Sequence, residues 1–458
     1  VSTEPHRTAG PPAAPPPPAP LAAGGLPLIG NTARLLRDPL AFLSGLRADG
    51  DVVRITLGPK TVHVATDPDL VACLLRSPDY EVGGPLWDSL EVLLGQGVAT
   101  SNGTAHRRQR RLIQPAFTPE RVAHYAPIMQ QQAQATADRW RPGMIINAGP
   151  ELFATAVRIV ARSLLRVDSL DRRAGLIERA LHIVFEGLYR RMILSVGALH
   201  RLPTPANRRF DRALATLHRL VDDIVAERRS CREPGHEDLL SVLLDARDEH
   251  GRPLDDREIH DHVVSLVVAG AENVASTLAW TLLLLVEHPE HERRLVAEVR
   301  ARTSGRPVSF TDLEHLPHTR NVITEAMRLR PAAWIFTRRS VRPTHLGAYR
   351  IPPATDIAYS PYAMQRDPRS FPHPLSFDPD RWRPDRTATV PRSAMIPFGV
   401  GNRQCPGDHF ALTELALILA TVTARWHLRP APGSDTRTKI GITLHPKRLL
   451  LRVEPRSR

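Results

Sequence analysis

A lone cysteine, Cys405, lies in the stretch Phe398-Gly399-Val400-Gly401-Asn402-Arg403-Gln404-Cys405-Pro406-Gly407. Glycines at 401 and 407 permit tight turns on both sides of its sulfur. Asp408 to Arg425 reads as an amphipathic helix, whose free N–H groups face back towards the loop and favour an anionic thiolate. Arg403 adds a fixed positive charge. Together these residues suit a thiolate that holds an electrophilic metal. A dinucleotide fingerprint fails, because Gln404 follows Gly399-x-Gly401-x-x and no strand–helix–strand unit surrounds it. Zinc needs further thiolates or histidines in register, and none flanks Cys405. An inert buried cysteine is the plain alternative, but it leaves the spacing of Phe398, Gly401, Arg403, Cys405 and Gly407 unexplained.

Two other stretches carry chemistry. Ile259 to Val286 reads as a long apolar helix with polar residues in its middle, Ala269-Gly270-Ala271-Glu272-Asn273-Val274-Ala275-Ser276-Thr277. An acid at the centre of such a helix is costly unless it works or is paired. Gly270 and Ala271 remove bulk, so a flat ligand could approach the backbone there. In His106-Arg107-Arg108-Gln109-Arg110-Arg111, His106 and Arg110 share one helical face. Such a run is usually a solvated face, yet two donors so placed can also grip a pair of carboxylates.

The cysteine loop resembles the haem-ligand loop of cytochromes P450 at the five positions named, and the likeness extends from about residue 26 to the C-terminus. The resemblance implies the mainly α cytochrome P450 fold with a small β region, haem b bound through Cys405, and oxygen insertion into C–H bonds. It places Ala269 and Gly270 against the cofactor, makes His106, Arg110 and Arg338 its propionate donors, and counts Arg403 among the cofactor-binding residues of the loop. It makes Glu325, Arg328 and Arg381 a Glu-Arg-Arg triad that locks the segment beneath the haem. The centre of the long helix resembles the family's oxygen-activation motif at Ala269, Gly270 and Glu272, but Asn273 stands where the family has threonine. Glu272 is therefore expected in the distal proton network, with Asn273 ordering a water beside it. Thr277, one turn on, is a second candidate hydroxyl.

For substrate, Gly84 to Leu90, Leu188 to Met192 and Arg328 to Trp334 resemble segments of bacterial sesquiterpene oxygenases. The epi-isozizaene (albaflavenone-forming) monooxygenases come first and pentalenene oxygenases second. An apolar pocket of Leu86, Trp87, Val268, Ala269, Ala333, Trp334, Ile335 and Leu444 would suit a hydrocarbon with no polar handle, to be oxidised in successive steps from alcohol to ketone. A haem sensor or electron carrier is the non-enzyme alternative. Electrons are expected from NAD(P)H through a separate ferredoxin and ferredoxin reductase, with O2 as co-substrate, because no flavin or iron–sulfur sequence is fused to the chain.

The elements that must position these residues follow from patterning over 458 residues. Residues 1–25 form a Pro/Ala-rich leader, expected to be disordered, and 26–458 a single domain. Val52–Leu57 and Thr61–Ala65 make a hairpin across Gly58-Pro59-Lys60. Glu81 to Thr100 reads as a glycine-rich loop carrying apolar residues, and helical patterns fill most of the rest. Leu346 to Ile357 reads as a hairpin and Ile442 to Val453 as a terminal strand pair. The net charge of +13 invites a nucleic-acid reading, but the arginines are dispersed and aromatics make up only 5%. A basic face for an acidic ferredoxin fits better. Asp245 to Asp256 lacks the closing carboxylate of a terpene-cyclase metal motif, and His260, His262, His288 and His291 lack zinc spacing. Three cysteines give no disulfide framework, and the apolar run Leu278 to Val286 is too short to span a membrane. A cytoplasmic monomer is expected.

Overall fold

The structure is a computed structural model describing residues 17–167, 170–193, 200, 202–230, 238–247 and 251–456. Its axis is the helix Asp256–Glu287, started by Asp255, whose side chain accepts from the Arg257 N–H at 3.2 Å. From Val274 to Leu285 it is buried on every face, because the helix Ala148–Val160 packs along it and Pro317–Leu329 and Asp408–Arg425 also contact it. By length and composition alone this helix could cross a membrane, more than the nine-residue run suggested. However, 67% of its apolar window is already covered by protein. The helix Asp408–Arg425 is not amphipathic as expected. It too is buried almost all round, against Pro119–Arg139.

The strands are β1 Val52–Leu57, β2 Lys60–Ala65, β3 Tyr80–Val82, β4 Ile145–Asn147, β5 Phe336–Ser340, β6 Thr344–Leu346, β7 Tyr349–Ile351, β8 Asp356–Tyr359, β9 Trp426–Pro430, β10 Asp435–Ile440, β11 Leu444–Arg448 and β12 Leu450–Pro455. The main sheet runs β1-β2-β8-β5-β3, with β2 and β8 parallel and the other neighbours antiparallel. The expected 52–65 hairpin forms in register, Val52 opposite Ala65. The 346–357 hairpin is shorter, β6 with β7, since β8 is drawn into the main sheet. The terminal pair does not form. β11 pairs back with β10, while β12 lies between β4 and β9.

Residues 1–16 of the expected leader lie outside the described residues, as do Cys231 and Asp248 to His250. The remainder of that leader is packed. Arg54 N–H donates to Pro20 O at 2.7 Å, Ala22 N–H to Arg54 O at 2.8 Å, and Ala19 and Ala22 are buried. The segment thus extends the sheet edge, and its two alanines pack into the core. The expected loop 81–100 contains a helix, Pro85–Leu94, because Pro85 sits at its permissive first turn and Leu86, Leu90, Leu93 and Leu94 recur on one buried face.

Beneath the sheet, Glu325 is fully buried and accepts two hydrogen bonds of 2.8 Å from Arg328. It also accepts from Arg381 Nε at 3.5 Å, Trp382 Nε1 at 2.9 Å and the Asp378 N–H at 3.0 Å. Arg328 spends its other donors on the carbonyls of Gln365, Pro374 and Ser376. The two motifs thus meet, and the irregular segment 365–382 hangs on one carboxylate.

Candidate active site

Cys405 closes its loop by donating its N–H to Phe398 O at 2.8 Å. The turns before it are made by Gly399 and Gly401, at φ of 71° and 76°. A Cβ on Gly401 would stand 2.7 Å from Leu75 O, so no other residue fits. Gly407, expected to share this role, has an ordinary φ of −99° and instead leaves room for the Phe117 ring. Burial pushes the Cys405 thiol up, against the opposing pull of the Gly407 N–H and of Arg110. The nearby positive charge is thus Arg110, which donates to Gln404 O, and not Arg403. Arg403 reaches Asn102 Oδ1 at 2.6 Å instead.

Cys405 opens into a cavity of about 390 Å³ shared with the centre of the long helix. His106, Arg110, Arg338 and Arg403 converge on it from three separate elements. Burial pulls Arg403 down to about 10, with Arg338 and Arg110 repelling it further. His106 falls to about 4 through burial and its arginine neighbours. Arg403 Nη1 is buried with no partner among the described residues. Such an uncompensated cationic cluster beside an apolar cavity calls for anionic groups from a ligand. A flat dicarboxylate macrocycle whose metal takes one thiolate fits that donor set, so the residues present fit haem.

Across the cavity stand Val268, Ala269, Gly270, Asn273, Val274 and Thr277. Gly270 has a further duty, since a Cβ there would meet Val160 at 2.8 Å, while Ala271 faces the core. Asn273 donates to Ala269 O at 3.2 Å and Thr277 to Asn273 O at 2.8 Å, leaving Asn273 Oδ1 for other work. Glu272 does not join them. It accepts from Thr443 Oγ1 at 2.7 Å and lines a second, smaller cavity with His182 and Glu186, and burial raises its carboxyl. Glu272 lies off the stripe of 269, 270, 273 and 274 that faces the first cavity and opens into the second.

Of the expected pocket, Trp87, Val268, Ala269 and Ala333 line the cavity. Trp87 is fixed by donating to Thr337 O at 2.9 Å. Leu86, Trp334, Ile335 and Leu444 do not line it. Leu86 turns to the core side of its helix, and Trp334 is fully buried with its indole on Gly441 O at 2.9 Å. Ile335 is only packed against the core. The Leu444 side chain is buried, while its carbonyl takes the Ser276 and Trp280 donors. Leu94, one of the apolar residues of the expected loop, completes the wall with Val98, Ala99, Phe117, Phe410 and Glu414, which were not anticipated. Only the apolar content of the segment 81–100 pointed towards this wall.

Comparisons with known proteins converge. A family profile described as Cytochrome P450 matches residues 16–453. Cyclooctatin synthase of Streptomyces melanosporofaciens is 42% identical over 452 residues, 98% of each chain. Pentalenene oxygenase of Streptomyces avermitilis is 41% identical, covering 95% of this chain and 97% of its own. Cyclooctat-9-en-7-ol 5-monooxygenase of Streptomyces melanosporofaciens is 42% identical over 94% of each. Among solved structures, the cytochrome P450DA heme domain superposes with a TM-score of 0.85 at 25% identity, covering 97% of this chain and 99% of that one.

Proposed function

The chain belongs to the cytochrome P450 family, and from that premise we propose that it is a terpenoid hydroxylase. As a member it is a haem b monooxygenase. Haem, when bound, activates dioxygen for insertion into an unactivated C–H bond. The observation that carries the terpenoid reading is the single cavity with Cys405 on one wall and Asn273 and Thr277 on the other, otherwise lined chiefly by apolar side chains. Cys405 supplies the ligand, while His106, Arg110, Arg338 and Arg403 hold carboxylates. Trp87, Leu94, Val98 and Ala99 exclude water, and Asn273 positions a proton-bearing water. The names of three Streptomyces relatives support a cyclic terpene skeleton.

More finely, we infer a sesquiterpene such as epi-isozizaene, taken in successive steps from alcohol to ketone, with a pentalenene-type skeleton as the second reading. Electrons come from NAD(P)H through a ferredoxin and its reductase, docked on an arginine-rich face by a cytoplasmic monomer. The test is a spectral titration with purified terpene hydrocarbons and alcohols, followed by NADPH-driven turnover with donated redox partners. A low-to-high spin shift and a hydroxylated product are expected. A haem-loaded protein that shifts with none of them and forms no product would defeat the terpenoid reading and favour a sensor or carrier.

A further inference from the structure

The wall made by the long helix is not uniformly apolar. Positions 262, 265, 266, 269, 270, 273, 274 and 277 all line the cavity, a single stripe at helical spacing. Two of the side chains at its N-terminal end are polar. His262 is 1% exposed and Ser265 6% exposed. Neither His262 Nδ1 nor Ser265 Oγ has a hydrogen-bond partner among the described residues. Buried polar groups are nearly always paired, so two orphans on one cavity wall require a partner from inside the cavity.

The surroundings hold both side chains in place. His262 Nε2 lies 3.6 Å from Glu258 Oε1, within ion-pair range but beyond hydrogen-bonding distance. Glu258 is itself fixed by Arg108 at 2.6 Å and Gln109 at 3.2 Å. This orients Nε2 towards the carboxylate and leaves Nδ1 as the acceptor. Over Ser265 lies the loop after the helix Pro85–Leu94, tied down by Gln96 N–H to Asp261 Oδ2 at 2.7 Å. A Cβ on Gly97 would stand 3.0 Å from Ser265 Oγ, so the loop backbone closes over that hydroxyl.

We propose that His262 and Ser265 form a hydroxyl-recognition subsite, and that the preferred substrate is a terpenoid alcohol rather than the bare hydrocarbon. The alcohol donates to His262 Nδ1 and accepts from Ser265 Oγ, so that each orphan gains one partner. Ser265 and His262 precede Ala269 by about 6 and 10 Å along the helix axis, at 1.5 Å per residue. The recognised hydroxyl and the carbon to be oxidised therefore lie towards opposite ends of the skeleton. This inference rests on the terpenoid reading above, and it replaces the expectation of a substrate without a polar handle.

The test uses the haem-loaded protein and matched pairs of probes: pentalenene with a monohydroxylated pentalenene, and cyclooctat-9-en-7-ol with the same skeleton lacking its hydroxyl. Spectral titrations should give the wild type a preference of about tenfold for the alcohol of at least one pair. Ser265→Ala and His262→Leu should each weaken alcohol binding about tenfold while leaving the hydrocarbon within about twofold. His262→Gln, which keeps an acceptor, should retain the preference. If His262→Leu does not load haem, Ser265→Ala alone carries the comparison. Equal affinity for both members of each pair, or variants that weaken both alike, would overturn the subsite and leave the terpenoid reading standing. A wild type that shifts with no probe, while its reduced carbon monoxide complex is normal, would overturn both.

Discussion

Glu272 and Asn273 are neighbours in sequence that serve different cavities: Glu272 accepts from Thr443 Oγ1 at 2.7 Å, whereas Asn273 lines the space opposite Cys405. Glu272 is thus not an acidic partner for the Asn273 amide, whose proposed role is to order a water. Product formed per NADPH consumed should fall about fivefold in Asn273→Ala, the equivalent of one hydrogen bond of about 1 kcal/mol. Thr277→Ala should change it less, since that hydroxyl already donates to Asn273 O. A collapse of coupling in Thr277→Ala with Asn273→Ala unaffected would transfer the role.

Cys405→Ser should abolish the strongly red-shifted Soret band of the reduced carbon monoxide complex, because an alcohol does not replace the thiolate. The same band persisting in the variant would show that the metal is held elsewhere.

Glu325→Ala strands Arg328 and Arg381 as buried cations without their shared partner. The cost should be on the order of 3–5 kcal/mol. Purified variant protein is expected to be poor in haem and to unfold at lower denaturant than wild type. Full haem content with unchanged unfolding would show that the backbone carbonyls around Arg328 suffice on their own.

Burial and the charges of Arg403, Arg110 and Arg107 lower the His106 pKa to about 4. A carboxylate arriving from the cofactor favours its charged form and raises that value. The sign follows for this group alone: the His106 proton binds more tightly after loading, so His106 takes up a proton between about 4 and the raised value, opposing the proton that Cys405 releases when it ligates as a thiolate. NMR titration of the His106 imidazole with and without haem, together with haem transfer rates across this range, checks both. His106→Phe should remove only the His106 share of the pH dependence and leave that of the Cys405 thiolate.

Leu444 and Ala333 separate stability from selectivity. Leu444→Ala empties a buried position outside the cavity and should cost about 2–5 kcal/mol with product distribution unchanged. Ala333→Leu intrudes into the cavity and should alter regiochemistry or spin shift with little loss of stability. Product profiles and urea midpoints of the two variants give the comparison.

Some features were legible because local chemistry dictates them. The spacing around Cys405, the donor pair on one face at His106 and Arg110, and the Glu325–Arg328 pair each lie within a few residues, where chain geometry alone fixes who faces whom. The two motifs of the triad, Glu325 with Arg328 and Arg381, could be assigned on resemblance alone, and they meet as assigned. Tertiary structure decided what depends on rotation about a helix axis or on a distant partner. Nothing in the central motif says that Glu272 turns towards Thr443, because that hydroxyl arrives from a loop 171 residues further on. Nothing near Leu444 shows that its carbonyl, not its side chain, is what the long helix uses. The orphaned polar atoms of His262 and Ser265 are likewise invisible in sequence, where both look like ordinary polar positions on a helix. Only packing shows that both are buried against a cavity, from which a partner must come.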